Sequence, residues 1–356
     1  MNNKKVLLGM SGGTDSSVAA MKLLDMGYDV VGVTFLFHDS EETQSHISDA
    51  ISLASRLGIK HFVHDARSEF ETLIVDYFVN EYLSGRTPVP CTICNNKLKW
   101  PLLIQLADEE GAKYVSTGHY MRTVVIDGTY YITSAKDEDK DQTFFLWGLT
   151  QDVISRMLLP MGDMLKSEAR SWAESRGFQR VAKKKDSIGV CFCPNDYRTF
   201  IKERMLSQGI DYHSLYPKGK FVDEAGNIIS THEGYPFYTI GQRRGLGVNL
   251  NRPLFVKDIC PQSNKIVLSS LQSLEKLHIL LTDTNIVSQK LLFNDPKVEV
   301  KLRYRKQYNT ASVSMCADGK LQVDLNEPLT AVAPGQAIAF YKDKLLIGGG
   351  IIECSW

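Results

Sequence analysis

A chain of 356 residues, 43% of them hydrophobic, can bury more than one core, and at that length two or three domains are expected. Its 41 basic residues balance 41 acidic ones, so any anionic partner has to be held by a local patch rather than by the field of the whole molecule. The composition speaks against disorder, and no segment approaches the roughly 18 apolar residues of a membrane span, so a cytoplasmic protein with no membrane partner is expected.

In chain order, the apolar run Val6-Leu7-Leu8 is a first strand. Gly9-Met10-Ser11-Gly12-Gly13-Thr14-Asp15-Ser16-Ser17 follows, and a helical stretch over 16–26 is ended by Gly27. Adjacent glycines let backbone approach a phosphate closely, and the helix behind them offers free N–H groups and a favourable dipole. Ser11, Ser16 and Ser17 add hydroxyls, and Asp15 is a candidate holder of Mg²⁺. A lone S-G-G reads equally well as a glycine turn with an Asp/Ser cap. The full string between strand and helix resembles the PP-loop of the N-type ATP pyrophosphatases, which split ATP to AMP and pyrophosphate while adenylating a carbonyl oxygen. It is not a Walker loop, which needs a Lys before Ser or Thr.

A second strand runs over 30–35, Ile47, Ala50, Ile51, Ala54 and Leu57 recur at helical spacing, and His61-Phe62-Val63 is a third strand. A helix over about 68–83 and a strand at 114–116 complete the alternation, which predicts a doubly wound parallel α/β sheet within residues 1–205. Between them lies Thr87-Pro88-Val89-Pro90-Cys91-Thr92-Ile93-Cys94, whose C-x-x-C spacing suits a zinc knuckle, a redox pair, half of a cluster site or a catalytic thiol with a neighbour.

A second thiol pair, Cys191 and Cys193, follows Lys183-Lys184-Lys185, and cations just upstream favour thiolate formation. An enzyme that turns a carbonyl oxygen into an AMP leaving group needs a nucleophile, and these two clusters are the candidates. Cys260, Cys316 and Cys354 stand singly in apolar surroundings as buried small hydrophobes, and seven cysteines in a reduced chain argue against a disulfide framework. Beyond about 205 helical periodicity fades. Turn signals there punctuate short alternating runs, and five strands are expected over 298–304, 311–314, 320–325, 336–341 and 345–347. Residues 206–284 are therefore expected as a small β-rich domain and 285–356 as a C-terminal β-barrel.

Taken together, the strings GMSGGTDSS at 9–17, GRTPVPCTICN at 85–95, TGHY at 117–120, KDQTFFL at 140–146, KKDSIGVCF at 184–192, YTIGQRRGLGV at 238–248, RYR at 303–305, and APGQ with YKDKLLIGGGII at 333–352 resemble the tRNA-specific 2-thiouridylase family. The resemblance implies that O2 of uridine 34 in tRNAs for Lys, Glu and Gln is adenylated with ATP and Mg²⁺ and replaced by sulfur. It implies that Cys191 receives sulfur as a persulfide from a relay protein or a cysteine desulfurase. Cys94 is then the partner thiol, releasing that sulfur through a transient Cys94–Cys191 disulfide. Gly9, Met10, Ser11, Gly12, Gly13, Thr14, Asp15, Ser16, Phe35 and Gly118 would line the ATP site. Val89, Pro90 and Cys91 would flank the extruded base. His119, Lys140, Asp141, Gln142, Arg303, Tyr304 and Gln336 would contact tRNA, with Asp186 and Ser187 ordering the Cys191 loop.

Basic neighbours of Arg303, namely Lys301, Arg305 and Lys306, make a stripe suited to phosphate, as does Arg243-Arg244, although either also reads as a solvated face. Three features depart from the family's common pattern: Val89 stands where Asn is usual, Thr14 where Val is frequent, and Cys193 adds a thiol two residues after Cys191. Cys91 occupies a place that varies between Asp and Cys. With Cys there, a [4Fe–4S] cluster on Cys91, Cys94 and Cys191 is an alternative to direct persulfide chemistry, and a zinc site that adds Cys193 is a further one. Another PP-loop ligation or amidation would leave both thiol clusters idle, and a silent tRNA-binding descendant would leave the loop idle as well.

Overall fold

The side chains of strand β1 (Lys5–Gly9) divide between two cores. Leu7 packs with Val31, Val33 and Val115 on one face, while Val6 and Leu8 pack with Val18, Val30 and Ala54 on the other. A strand buried on both faces belongs at the centre of a parallel sheet. A computed structural model, which describes residues 4–184, 189–248, 252–304 and 309–356, places it there.

Helix α1 (Thr14–Asp25) carries the chain to β2 (Asp29–Leu36), and α2 (Glu41–Leu57), capped by Ser40 and closed by left-handed Gly58, carries it to β3 (Lys60–Asp65). A helical run follows as α3 (Arg67–Phe70), a π turn over Glu71–Val75 and α4 (Asp76–Leu83). The Cys91–Cys94 stretch forms α5 (Pro90–Ile93), a second π turn (Cys94–Lys99) and α6 (Trp100–Glu109), ahead of β4 (Tyr114–Thr117). A hairpin of β5 (Arg122–Ile126) and β6 (Thr129–Thr133) intervenes before α7 (Gln151–Ser155) and the short edge strand β7 (Met157–Leu158). The parallel order is β3-β2-β1-β4-β7, so the chain departs in opposite directions from β1 and β4, and the crevice between their C-terminal ends is the topological switch point.

Helices α8 (Lys166–Ser175), α9 (Gln179–Ala182) and α10 (Tyr197–Ser207) lead out of this layer. A four-stranded sheet then forms from β8 (Gly219–Val222), β9 (Ile228–His232), β10 (Phe255–Cys260) and β11 (Lys265–Ser269), in the order β10-β11-β8-β9.

The last sheet is closed. It contains β12 (Glu275–Ile286), β13 (Val298–Lys301), β14 (Asn309–Met315), β15 (Leu321–Thr330), β16 (Ala337–Lys342) and β17 (Leu345–Ser355), with β12 pairing both β15 and β17. Two features differ from the five strands expected there. Strand β12 belongs to the same sheet, so the boundary expected at 285 falls inside a strand. The β5–β6 hairpin, from within the first 205 residues, joins this sheet through β6 and β17.

The three parts meet at residues 85–87. Thr87 N donates to Pro334 O at 2.8 Å, and Arg86 reaches Glu81 at 2.9 Å and Ile352 O at 3.3 Å. A Cβ on Gly85 would stand 2.8 Å from Pro261 of the middle sheet. Asn285 closes the opposite side by donating to Trp147 O at 2.7 Å. Among the described residues no helix is long and apolar enough to cross a membrane.

Candidate active site

The glycine loop lies at the switch point. Met10 extends β1, its N–H bonded to Val33 O at 2.7 Å, and the chain then turns through Gly12 at φ +66°. A Cβ there would lie 2.2 Å from His46 O, so backbone conformation and space both demand glycine. The Ser11 N–H donates to Ser16 Oγ at 3.1 Å, and the Ser17 hydroxyl donates to Gly13 O at 2.7 Å. No side chain caps the N-terminus of α1, so its first N–H groups remain free to face an anion. Gly118, at the end of β4, backs onto this turn: a Cβ on it would lie 2.4 Å from Ser16 N. Phe35 closes β2 and stacks on Phe37 with ring centroids 5.4 Å apart.

Two loop residues do other work than expected. Thr14 is buried and donates its hydroxyl to Val181 O at 2.6 Å, facing α9 rather than the crevice. Asp15 is committed to the Lys166 ammonium, 2.7 and 2.8 Å from its two oxygens, and accepts from the Tyr120 hydroxyl at 2.9 Å. A carboxylate neutralised in this way is a poor holder of a dication, so Asp15 does not fit the expected Mg²⁺ role in this arrangement. Lys184 Nζ sits 3.0 Å from Gly12 O and 2.8 Å from Asp49, so this lysine serves the loop rather than the Cys191 thiol. Lys166 and Tyr120 were invisible in the sequence because they lie 151 and 105 residues from Asp15.

All seven cysteines are free. Cys91 and Cys94, three apart on α5 and its π turn, lie close enough to influence each other, and Asn95 holds that turn by donating to Cys91 O at 2.8 Å. Cys191 joins them although it is about a hundred residues away in sequence. Burial raises its thiol to about 11, Cys94 and Cys91 add to the rise, and Lys99 opposes it. Burial raises Cys91 and Cys94 too, again opposed by Lys99. Cys191 nonetheless keeps an exposed surface.

A tight turn presents Cys191. Cys193 N donates to Val190 O at 3.0 Å, which leaves Cys191 near the apex. Phe192 packs edge-on against Phe70 at 5.6 Å and Phe78 at 5.2 Å, and Phe70 stacks on Phe37 at 4.9 Å. Aromatic contact is thus continuous from Phe35 on the nucleotide side to the residue after Cys191. Cys193 is buried in the cluster of Phe78, Tyr82 and Ile201, away from the other thiols, so the four-cysteine zinc site is not formed. Among the described residues no three His, Cys, Asp or Glu side chains gather as a metal-holding group, Cys91, Cys94 and Cys191 included. Cys260 and Cys316 are half-buried and Cys354 is exposed, contrary to the expectation of three buried thiols.

The residues expected around the base and tRNA divide into two groups. Val89 is half-buried beside buried Pro90, next to the Pro334 contact and hence to Gln336. His119 bonds to Thr117 at 2.7 Å, leans on Trp100 at 5.8 Å, and is held neutral, its pKa lowered to about 3 by deep burial and by Lys99. Farther off, Tyr304 stacks on Phe145 at 5.1 Å. It lines a recess of about 200 Å³ with Ser134, Asp141, Phe144, Lys301 and Tyr341.

Arg303 is exposed and reaches Ala331 O at 3.2 Å. Lys140 and Gln142 flank Asp141, and Gln142 Oε1 accepts from Tyr120 N at 3.0 Å. Asp141 is buried with its carboxylate taken by Ala135 N, Thr143 N and the Thr143 hydroxyl, which suits a loop organiser better than a direct tRNA contact. Lys185, Asp186, Ser187, Arg305 and Lys306 lie outside the described residues.

Comparison with known proteins covers the whole chain. Residues 4–195 match the family model described as "tRNA methyl transferase HUP domain", 208–270 the "tRNA methyl transferase PRC-barrel domain" and 276–352 the "Aminomethyltransferase beta-barrel domain". The tRNA-specific 2-thiouridylase MnmA 1 of Bacteroides fragilis (strain YCH46) is 59% identical over 357 residues, covering 99% of this chain and 98% of the relative. The MnmA 2 protein of Phocaeicola vulgatus is 55% identical over 351 residues, with 99% and 98% covered. The MnmA 1 protein of Clostridium botulinum (strain Hall) is 41% identical over 361 residues, with 98% and 99% covered. The model descriptions carry a methyl-transfer label, but these three relatives, matched from end to end, bear the name of 2-thiouridylases. The glycine loop, both thiol stretches and the barrel all lie inside those matches, and the chain belongs to the MnmA family of tRNA-specific 2-thiouridylases.

Proposed function

We propose that this protein is an ATP-dependent tRNA 2-thiouridylase that exchanges O2 of wobble uridine 34 for sulfur in the Lys, Glu and Gln isoacceptors. The observation that carries the reading is that Cys94 and Cys191, about a hundred residues apart in sequence, lie within electrostatic reach of each other, with packed aromatic rings running from Phe35 near the end of β2 to Phe192 beside Cys191. MgATP binds on Gly9 to Ser16 with its phosphates at the free N–H groups of α1, Phe35 and Gly118 lining the nucleotide. Magnesium enters on the nucleotide, because Asp15 is already paired with Lys166. The uridine leaves the anticodon stack and lies beside Val89, Pro90 and Cys91. Its O2 attacks the α-phosphorus, pyrophosphate departs, and C2 carries an AMP leaving group.

Sulfur arrives on Cys191 as a persulfide made by a relay protein or a cysteine desulfurase. The Cys94 thiolate attacks Cys191 Sγ, the persulfide S–S bond breaks, and hydrosulfide leaves as the Cys94–Cys191 disulfide forms. Hydrosulfide adds to C2, AMP departs with the old oxygen, and the added sulfur loses its proton. An external dithiol then returns two electrons and restores both thiols. Lys140, Gln142, Arg303, Tyr304 and Gln336 hold the RNA, Tyr304 from the rim of the recess, while neutral His119 offers hydrogen bonding rather than charge.

Cys94→Ser and Cys191→Ser are each expected to abolish 2-thiouridine formation in a reconstituted reaction while ATP–pyrophosphate exchange in the presence of tRNA continues. A variant that still thiolates would end the two-thiol scheme. The same reconstitution, with anaerobically purified protein free of iron, sulfide and zinc, is expected to be fully active. Activity that appears only with iron would move the reaction to a [4Fe–4S] cluster on Cys91, Cys94 and Cys191.

A further inference from the structure

A Walker loop carries its own lysine to the outer phosphates of a nucleotide, and the glycine loop over 9–17 contains none. The fold supplies one from elsewhere. Lys184 Nζ donates to Gly12 O at 3.0 Å from 172 residues farther along the chain. Its backbone is fixed to the same loop, because Val181 O accepts both the Thr14 hydroxyl at 2.6 Å and the Lys184 N–H at 3.3 Å. Gly12 stands two residues ahead of the first N–H of α1, and two residues of chain span at most about 7 Å. An anion seated on those N–H groups therefore lies within reach of the ammonium.

The charges around the loop point the same way. Lys184 shares its one carboxylate: Asp49 has one oxygen 2.8 Å from Lys184 and the other 3.0 Å from Arg180. The loop's own carboxylate, Asp15, is taken by Lys166. Glu42 lies 3.8 Å from His46 but is mostly exposed, where solvent screens it, and burial, with Lys184 adding to the effect, holds His46 on the neutral side. Half a counter-ion leaves a partly buried ammonium ready for an incoming anion.

We propose that Lys184 is a catalytic residue of adenylation, holding its ammonium against the β-phosphate of ATP and offsetting the charge that gathers on pyrophosphate as it leaves. When O2 of the uridine attacks, the O2–phosphorus bond forms as the bond from the α-phosphorus to the α,β-bridging oxygen breaks. The electron pair of the broken bond leaves with pyrophosphate, and N3 of the base keeps its proton. A cation already in place where that negative charge develops lowers the barrier. The proposal rests on the adenylation half of the reading above and is independent of how sulfur is delivered.

The test compares single-turnover tRNA adenylation by full-length wild-type protein, Lys184→Gln and Lys184→Arg at saturating MgATP, so that differences in binding drop out. The rate constant is expected to fall at least tenfold in Lys184→Gln, whose amide can still donate to Gly12 O, and Lys184→Arg is expected to retain most of the wild-type value. With β,γ-difluoromethylene-ATP, whose more acidic leaving group needs less help, the deficit of Lys184→Gln is expected to shrink several-fold. A rate constant in Lys184→Gln within twofold of wild type would overturn the proposal. So would an equal deficit with both nucleotides, which would mean that Lys184 only holds Gly12 in place. Wild-type protein gives a second reading should the variants fold poorly: magnesium pyrophosphate is expected to slow acetylation of Lys184 by acetic anhydride several-fold, followed by peptide mass spectrometry, with exposed Lys218 unchanged. Equal acetylation of Lys184 with and without pyrophosphate would overturn the proposal as well. Because protection by pyrophosphate needs no tRNA, failure here stays separate from failure of the thiouridylase reading, which would show as wild-type protein that adenylates no tRNA.

Discussion

At the scale of single residues, the loop that should cradle phosphate depends on one backbone angle. Gly12 is left-handed and has His46 O where a Cβ would go, so Gly12→Ala strains the backbone and displaces α2 together. ATP affinity measured by calorimetry is expected to fall at least tenfold in Gly12→Ala, whereas Thr14→Val, at a side chain that faces α9, is expected to leave it within about twofold. His119 has a different signature. Its folded pKa of about 3 lies below the ordinary 6.5, so between those values the unfolded chain binds a proton that the folded one refuses. Stability from this residue is therefore full above about pH 6.5, falls with pH through that window, and levels off near 3. Urea midpoints at pH 7 and pH 4.5 should converge in His119→Gln relative to wild type, with His232, held to about 4 by burial, leaving a residual slope in both. Equal slopes in the two proteins would mean that His119 is not buried neutral.

At the scale of elements, the question is how Cys191 is aimed. The Val190–Cys193 turn has Cys193 in an apolar core and Phe192 wedged among Phe70, Phe78 and Phe200, so two of its four residues act as anchors. Phe192→Ala removes the wedge but not the thiol. It is expected to lower the thiolation kcat at least tenfold with the KM for ATP unchanged, and Phe192→Tyr is expected to recover most of the loss. A parallel rise in the KM for ATP would instead place Phe192 in the nucleotide site.

Sequence order explains why some of these elements were legible and others were not. Strands β1 to β4 alternate with helices of ordinary length, and the glycine loop is local, so both could be read along the chain. The 12 residues of β12 carry register shifts against both partners, and such bulges break the alternation that marks a strand. The β5–β6 hairpin did leave a local sign in Asp127-Gly128, both at positive φ, the pair that a tight hairpin turn demands, but nothing nearby says that it joins a sheet built two hundred residues later. The partners of the site were lost in the same way. Lys99 looks from the sequence like the neighbouring Lys97, yet it is partly buried where Lys97 is exposed.

At the scale of the whole molecule, a neutral chain can hold a polyanion only by bringing modest patches together, and the middle sheet and the barrel both grip residues 85–87. Gly335 is the tightest point of that grip. It sits at φ +90°, and a Cβ there would lie 2.6 Å from Glu81 and 2.8 Å from Thr87 O, the residue whose N–H bonds to Pro334. A side chain at 335 would lift the barrel loop from residues 85–91 and free Arg86 from Ile352. Neither contact touches the nucleotide crevice. Gly335→Val is therefore expected to leave ATP affinity unchanged, to lower kcat/KM for tRNA at least tenfold, and to speed tryptic cleavage after Arg86 several-fold. Unchanged protection at Arg86 would mean that the barrel does not hold the catalytic stretch. Loss of ATP binding together with tRNA activity would mean that the damage had spread through the sheet. The expected split, with adenylation intact and transfer to tRNA impaired, follows from a design in which the parallel sheet activates the nucleotide and the barrel holds the stretch where base and thiols meet.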